Sequence, residues 1–293
     1  MINAAPPLTL ATYTTLLLAV IGLWCGRKVW LPMTALAIVF GYASGILTGV
    51  AAAWLVLMAG CCALYLRFRA PGTGAHRLAK AIAAVGVLAV GILLGTHSLP
   101  GFHNFRVAHE VTLSPGATPY TLYLNFDKTM VGVLIIGVLQ IPLICTARAG
   151  SSALMRATPV LLATVAVTIA GSLALGYVRV DAKWHELFWI WAPANLLMTC
   201  LSEEAFFRGF LQREIRAALA GRRYAEPLAI GIAAAAFGAA HLAGGTAYAV
   251  LATLAGAGYG YAYARTGRLE MAMLTHFALN ATHFLLFTYP RAA

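Results

Sequence analysis

The sequence predicts an all-α fold, a polytopic transmembrane helix bundle of about eight to ten spans. Three observations predict it. Of 293 residues, 61% are hydrophobic and only 10% charged, with mean hydropathy +0.82, whereas soluble domains carry about 25% charged residues. The apolar residues form ten runs, near 8–25, 31–47, 49–66, 78–95, 129–146, 158–178, 193–219, 227–243, 246–264 and 269–288. Basic residues gather in every second connection between those runs, the pattern that ten spans with both termini outside require.

Taken in order, the connections bear this out. Arg27 and Lys28 follow the first run; Arg67, Arg69, Arg77 and Lys80 join the third and fourth; Arg148 and Arg156 join the fifth and sixth. Arg213, Arg216, Arg222 and Arg223 join the seventh and eighth, and Arg265 and Arg268 the ninth and tenth. The alternate connections have no excess charge: 96–128 sets Arg106 and Lys128 against Glu110 and Asp127. The net charge of +11 therefore belongs to loops on one side of a membrane, and nucleic acid is not an expected partner. The amino-terminal stretch lacks the basic run of a signal peptide, so the first apolar run is expected to be a retained span. The five cysteines lie in or beside apolar runs without metal-ligand spacing and read as small buried hydrophobes.

The first four runs hold little chemistry. Trp24, Trp30, Trp54 and Tyr65 read as aromatic belt residues, and Gly41, Gly45 and Gly49 have the spacing of a helix-packing stripe. The connection 96–128 is polar and broken by Pro100, Pro115 and Pro119; its His97, His103 and His109 read as loop residues rather than a metal site. Asn125 or Asp127 is expected to cap the fifth span. Pro193 suits a first helical turn, which places the start of the seventh span near 193. Residues 1–128 form an amino-terminal membrane region of unknown role, and 129–293 carry the chemistry.

That chemistry lies in three clusters. Glu203 and Glu204 stand at the centre of an apolar run, where each charge costs roughly 2.5–3.5 kcal/mol to insert. Arg208, four residues on, shares a helix face with Glu204 and can pair with it, which leaves Glu203 without a local cation. His241 closes an alanine-rich run one turn after Phe237. His276 and Asn280 share a face of the last run, with His283 at its border. Polar groups on three helices must all avoid lipid, and one shared cavity achieves that. Depth is consistent in part: from the nearer basic ends Glu203 lies roughly 24 Å in, His241 roughly 21 Å, and His276 and Asn280 roughly 10 and 16 Å. In such a cavity Glu203 beside His241 can take a proton from water, and His276 with Asn280 can donate to an oxyanion. Base, water and donors are the parts of peptide-bond hydrolysis; neither Ser202 nor Cys200 has the setting of an elbow nucleophile.

The run Glu203-Glu204-Ala205-Phe206-Phe207-Arg208 resembles the EExxxR motif of the CPBP (CAAX protease and bacteriocin-processing) family of intramembrane endopeptidases. Phe237 to His241 is similar to its FxxxH motif and His276 to Asn280 to its HxxxN motif, in the same order, with Arg265-Thr266-Gly267 resembling the turn before the last. The resemblance covers about residues 190–285. It implies a glutamic-type membrane-embedded endopeptidase in which Glu203 and His241 activate water, His276 and Asn280 stabilise the oxyanion, and Glu204, Arg208 and Phe237 support them. It implies a membrane-associated protein or peptide substrate, the lipid bilayer as surroundings, and a multi-pass place in the cell membrane with the site opening toward the cytoplasmic half. No cofactor is assigned. Zinc is left open, because a carboxylate and two histidines can bind it, although the sequence has no HExxH. The competing readings are a non-catalytic membrane scaffold or immunity factor on the same fold, a zinc-dependent version of the protease, and a proton-coupled transporter, the last disfavoured by the absence of a repeated motif.

Overall fold

A computed structural model describes residues 2–70 and 72–293. Each expected apolar run forms a helix: α1 Pro7–Cys25, α2 Arg27–Ala43, α3 Gly49–Arg67, α4 Gly74–Gly95, α5 Phe126–Leu139 and α6 Ala147–Ala174. Then comes a long rod, α7, made of the unbroken segments Phe188–Ala194, Asn195–Cys200, Leu201–Glu204, Ala205–Gln212 and Arg213–Ala218. α8 Ala225–Ala240, α9 Thr246–Thr266 and α10 Leu269–Leu286 complete the bundle. Four of these (α1, α3, α4 and α6) are long and apolar enough to cross a membrane by length and composition alone; α7 and α10 carry the buried polar groups instead. The polarity is inverted relative to a soluble protein. Val56 and Met155 are 72% and 71% exposed, while Glu204 and Arg208 are fully buried, the arrangement that a hydrocarbon surround favours. The chain is a multi-pass helical membrane protein.

Successive helices run antiparallel, and the contacts between connections sort them into two ends. At one end Lys80 before the middle of α4 pairs with Glu214 at the end of α7, Arg216 pairs with Glu226 at the start of α8, and Trp24 at the end of α1 donates to Glu270 at the start of α10. At the other end isolated bridges join Ile2 to Ala108, Leu47 to Phe102, Ala117 to Ala292 and Val180 to Phe287. The charge-poor connections and both termini of the described chain thus meet in one cap, and the basic connections meet at the opposite end.

The boundaries depart from the sequence reading where proline and turn chemistry intervene. α5 stops at Leu139 because Gln140 adopts a left-handed conformation (φ 55°) and Pro142, two residues on, cannot continue a helix. α6 starts at Ala147, where Thr146 Oγ1 accepts from the Ala149 amide. Pro193 is not in the first turn of α7; the helix begins at Phe188, and the wider turns of Asn195–Cys200 follow the proline. Such π segments are a known adjustment of a helix at functional sites. The polar connection holds an antiparallel hairpin, β1 Phe105–Val111 and β2 Tyr120–Leu124, which the prolines and mixed composition concealed. Trp30 and Tyr65 are not belt residues. Both are buried: Trp30 lies against Gly137 of α5, and Tyr65 makes an edge contact with Phe210 of α7 at 5.1 Å. Gly45 and Gly49 form no packing stripe; Gly45 sits in a turn with φ 75° and neither has a neighbour within 4 Å of a built Cβ.

Of the two expected caps of α5, Asp127 Oδ1 accepts from the Lys128 amide at 2.8 Å, and a remote residue takes the place of Asn125. Asn125 makes no side-chain cap; Asn104 Oδ1, from the hairpin approach, accepts from the Phe126 amide at 2.8 Å. Asn104 Nδ2 and His97 Nδ1 both reach the Asp127 carboxylate, at 2.9 and 2.8 Å. The start of α5 is therefore fixed jointly by its own Asp127 and by the cap.

Candidate active site

α7 carries both glutamates in the short α-helical segment Leu201–Glu204, between two π segments. The altered turns on either side send the two carboxylates to different neighbours. Glu204 is fully buried and takes the Arg208 guanidinium, with Nη1 3.1 and 3.0 Å from its two oxygens. Arg208 Nη2 also donates to the Gly256 carbonyl of α9 at 2.7 Å, and its guanidinium stacks over Phe237 (4.8 Å) and Tyr259 (5.3 Å). Gly256 is required there: a Cβ would meet Arg208 Nη2 at 3.0 Å. Charge, hydrogen bonds at both Nη atoms and aromatic faces offset the burial of a cation that lipid would reject, while its Nε is left without a partner.

His276 of α10 links the two glutamates. Its Nδ1 lies 2.8 Å from Glu204 Oε1 and its Nε2 3.8 Å from Glu203 Oε2. A carboxylate only accepts, so Nδ1–H donates to Glu204 and Nε2 is the atom turned toward Glu203. The ring stacks on Tyr259 at 4.5 Å and meets the Phe237 edge at 5.7 Å. The shallower depth counted for His276 is made up in the fold, since it reaches Glu203.

Glu203 is not without a cation. Lys128, in the first turn of α5, places Nζ 2.5 Å from Glu203 Oε1. That approach depends on Gly132, one turn further along α5: a Cβ there would fall 2.4 Å from Leu201 Cδ2 and 2.9 Å from the Ser202 backbone. Lys128 thus holds one carboxylate oxygen while the other faces His276.

Phe237 and His241 end α8. His241 Nδ1 is 2.7 Å from the Phe237 carbonyl, which fixes Nδ1 as the donor and leaves Nε2 free to accept; its ring packs edge-on to Tyr248 at 5.2 Å. Asn280 Nδ2 donates to Asn195 Oδ1 of α7 at 3.1 Å. Glu203, His241, His276 and Asn280 all line one cavity of about 730 Å³, together with Lys128 and Tyr248. His283 lines the same cavity with its Nε2 held by the Thr288 carbonyl at 3.2 Å.

The cavity opens at the cap: its other walls include Gly95, His97, Tyr177, Gly244 and Tyr289. The cavity thus lies toward the end opposite the basic connections. Asn280 lies past the middle of α10, and Lys128 at the cap end of α5, so the polar groups sit nearer the charge-poor end. The sequence reading also missed Lys128 and Asn195. Asn195 is a single polar residue within a turn of apolar neighbours, the signal that marked Glu203; Lys128 stands among Asn125, Asp127 and Thr129 and reads as part of the charge-balanced connection.

Among the described residues no group of three or more His, Cys, Asp and Glu side chains is arranged to hold a metal ion, and no step is derived through one.

A helical membrane bundle with acids and imidazoles from separate helices around one polar cavity defines the class of the site. Residues 184–282 match the family model described as Type II CAAX prenyl endopeptidase Rce1-like, and this segment, from the entry of α7 into α10, is similar to the CAAX protease family. It is thus a protease-type segment, whose family acts as peptide hydrolases. No curated protein and no solved structure matches the chain.

Proposed function

We propose that the protein is an intramembrane endopeptidase that cleaves a peptide bond of a membrane-associated protein or peptide with a water activated by Glu203 and His241. The observation that carries this reading is the meeting of Glu203, His241, His276 and Asn280 on one cavity. Water held between the free Glu203 oxygen and His241 Nε2 gives up its proton as it attacks the carbonyl carbon. The oxyanion forms beside Asn280 Nδ2 and His276 Nε2, which donates when that ring carries a second proton; Glu204, bonded at Nδ1, stabilises the doubly protonated ring. The proton then passes to the departing amine, and the acyl product leaves as a carboxylate. Lys128 is a positioning residue that orients Glu203. Glu204 and Arg208 hold His276 in place.

The test is cleavage of a membrane-reconstituted peptide by wild-type protein and Glu203→Gln. The variant is expected to lose at least about 100-fold in rate, and the wild type to retain its rate in chelator. Unchanged cleavage by Glu203→Gln would remove Glu203 from the mechanism; loss in chelator, reversed by zinc, would favour the metal-dependent version.

A further inference from the structure

The hairpin above the site has two edges with different fates. The outer edge of β1 is occupied: the Asn3 amide donates to the Val107 carbonyl at 2.7 Å, Asn3 Nδ2 donates to the Arg106 carbonyl at 2.8 Å, and Ile2 bridges Ala108. The register of β2 then follows. Tyr13 Oη accepts from the Phe105 amide at 3.0 Å and donates to the Leu124 carbonyl at 2.7 Å, so paired Phe105 and Leu124 turn their backbone groups toward each other. Antiparallel pairs alternate in this respect. Tyr123, opposite Arg106, and Thr121 two residues back therefore turn N–H and C=O to the outer edge of β2. Among the described residues no other segment bonds those backbone groups.

That edge borders a second cavity, of about 470 Å³. Its lining includes four consecutive residues, Tyr120 to Tyr123. Side chains alternate faces along a strand, so a space touching all four lies beside the edge and not over one face. α7 forms the far wall through Trp191, Asn195 and Thr199. Asn195, Thr199, His97, Tyr120 and Tyr289 also line the cavity of Glu203, so the two spaces adjoin across these residues. Lys128, five residues after Tyr123, touches Glu203.

We propose that the outer edge of β2 receives an extended segment of the substrate as a third, hydrogen-bonded strand, held between the hairpin and α7 and leading into the Glu203 cavity. This rests on the endopeptidase reading and adds to it the form in which substrate is bound. Alternating donors and acceptors at strand spacing match a peptide backbone; an acyl chain offers nothing to pair with them. An exposed edge beside a cleft otherwise invites aggregation, and its enclosure by α7 limits access to a single chain. A helical substrate must unwind to bind here, which exposes its scissile carbonyl.

The test uses the full chain with Glu203→Gln in nanodiscs, so that binding is read without cleavage. The probe is a synthetic peptide with an 18-residue Leu/Ala span and a six-residue Val/Thr flank, compared with the same peptide N-methylated at alternate flank residues. Hydrogen exchange over residues 119–124 is expected to slow tenfold or more with the first peptide and to be unchanged with the second. Equal slowing by both, or by neither, would overturn the docking. In the active enzyme Tyr123→Pro removes the phenol and an outward N–H, which an edge strand tolerates, and Tyr123→Ala removes the phenol alone; the proline variant is expected to lower kcat/KM for the unmethylated peptide about tenfold below the alanine variant, with thermal stability retained. Equal kcat/KM in the two variants also overturns the docking, whereas unchanged cleavage by Glu203→Gln overturns the endopeptidase reading alone.

Discussion

His276 shows how one side chain can serve two carboxylates. Its Nδ1 contact with Glu204 fixes the tautomer, and that in turn decides which atom faces Glu203. Glu204 is thereby more than the partner of Arg208. In Glu204→Gln the fully buried guanidinium loses its counter-charge, and breaking a buried pair from one side costs about 3–5 kcal/mol. We expect a lower unfolding midpoint in detergent together with lost cleavage; a variant with wild-type stability would refute the clamp. Sequence reading reached the Glu204–Arg208 pair because it is local, four residues along one helix. It did not reach Lys128–Glu203, since nothing within either segment records a partner 75 positions away. Nor did it reach Asn195, whose role depends on where α10 lies.

At the scale of elements, α5 and α7 meet through a glycine. Gly132 lets the two backbones approach closely, and Lys128 reaches Glu203 only because they do. Gly132→Val adds bulk where a Cβ alone would lie 2.4 Å from Leu201. Overpacking of this kind costs about 1–3 kcal/mol, and the displacement of α5 is expected to lower kcat more than it raises KM; retained kcat would show that Lys128 does not need this approach. All ten helices were legible because apolar runs and turn residues are local properties. The hairpin was not. Its buried positions are few (Val107, Ala108 and Leu122), its alternation is broken by register shifts, and Pro115 and Pro119 read as loop breakers. The π segments of α7 were equally hidden, as only Pro193 hints at them.

At the scale of the molecule, the two ends differ in kind. One end gathers arginines and lysines; the other gathers the hairpin, both termini and the mouth of the cavity. If the basic end faces the cytoplasm, as the charge rule requires, the mouth faces the opposite side. In cells, a cysteine placed at exposed Glu110, in an otherwise cysteine-free chain, is expected to react with a membrane-impermeant maleimide, and one at Arg222 to be shielded until lysis. The reverse pattern would turn the molecule over and return the mouth to the cytoplasmic half.

The stitching of Val180 to Phe287 and of Ala117 to Ala292 sets a schedule for biogenesis. The cap is incomplete until the ribosome has released the segment that supplies Phe287 and Ala292. Every acid and imidazole of the site is by then already threaded through the translocon. In a nascent chain the polar cavity therefore stays uncovered on that side until Phe287 and Ala292 have emerged.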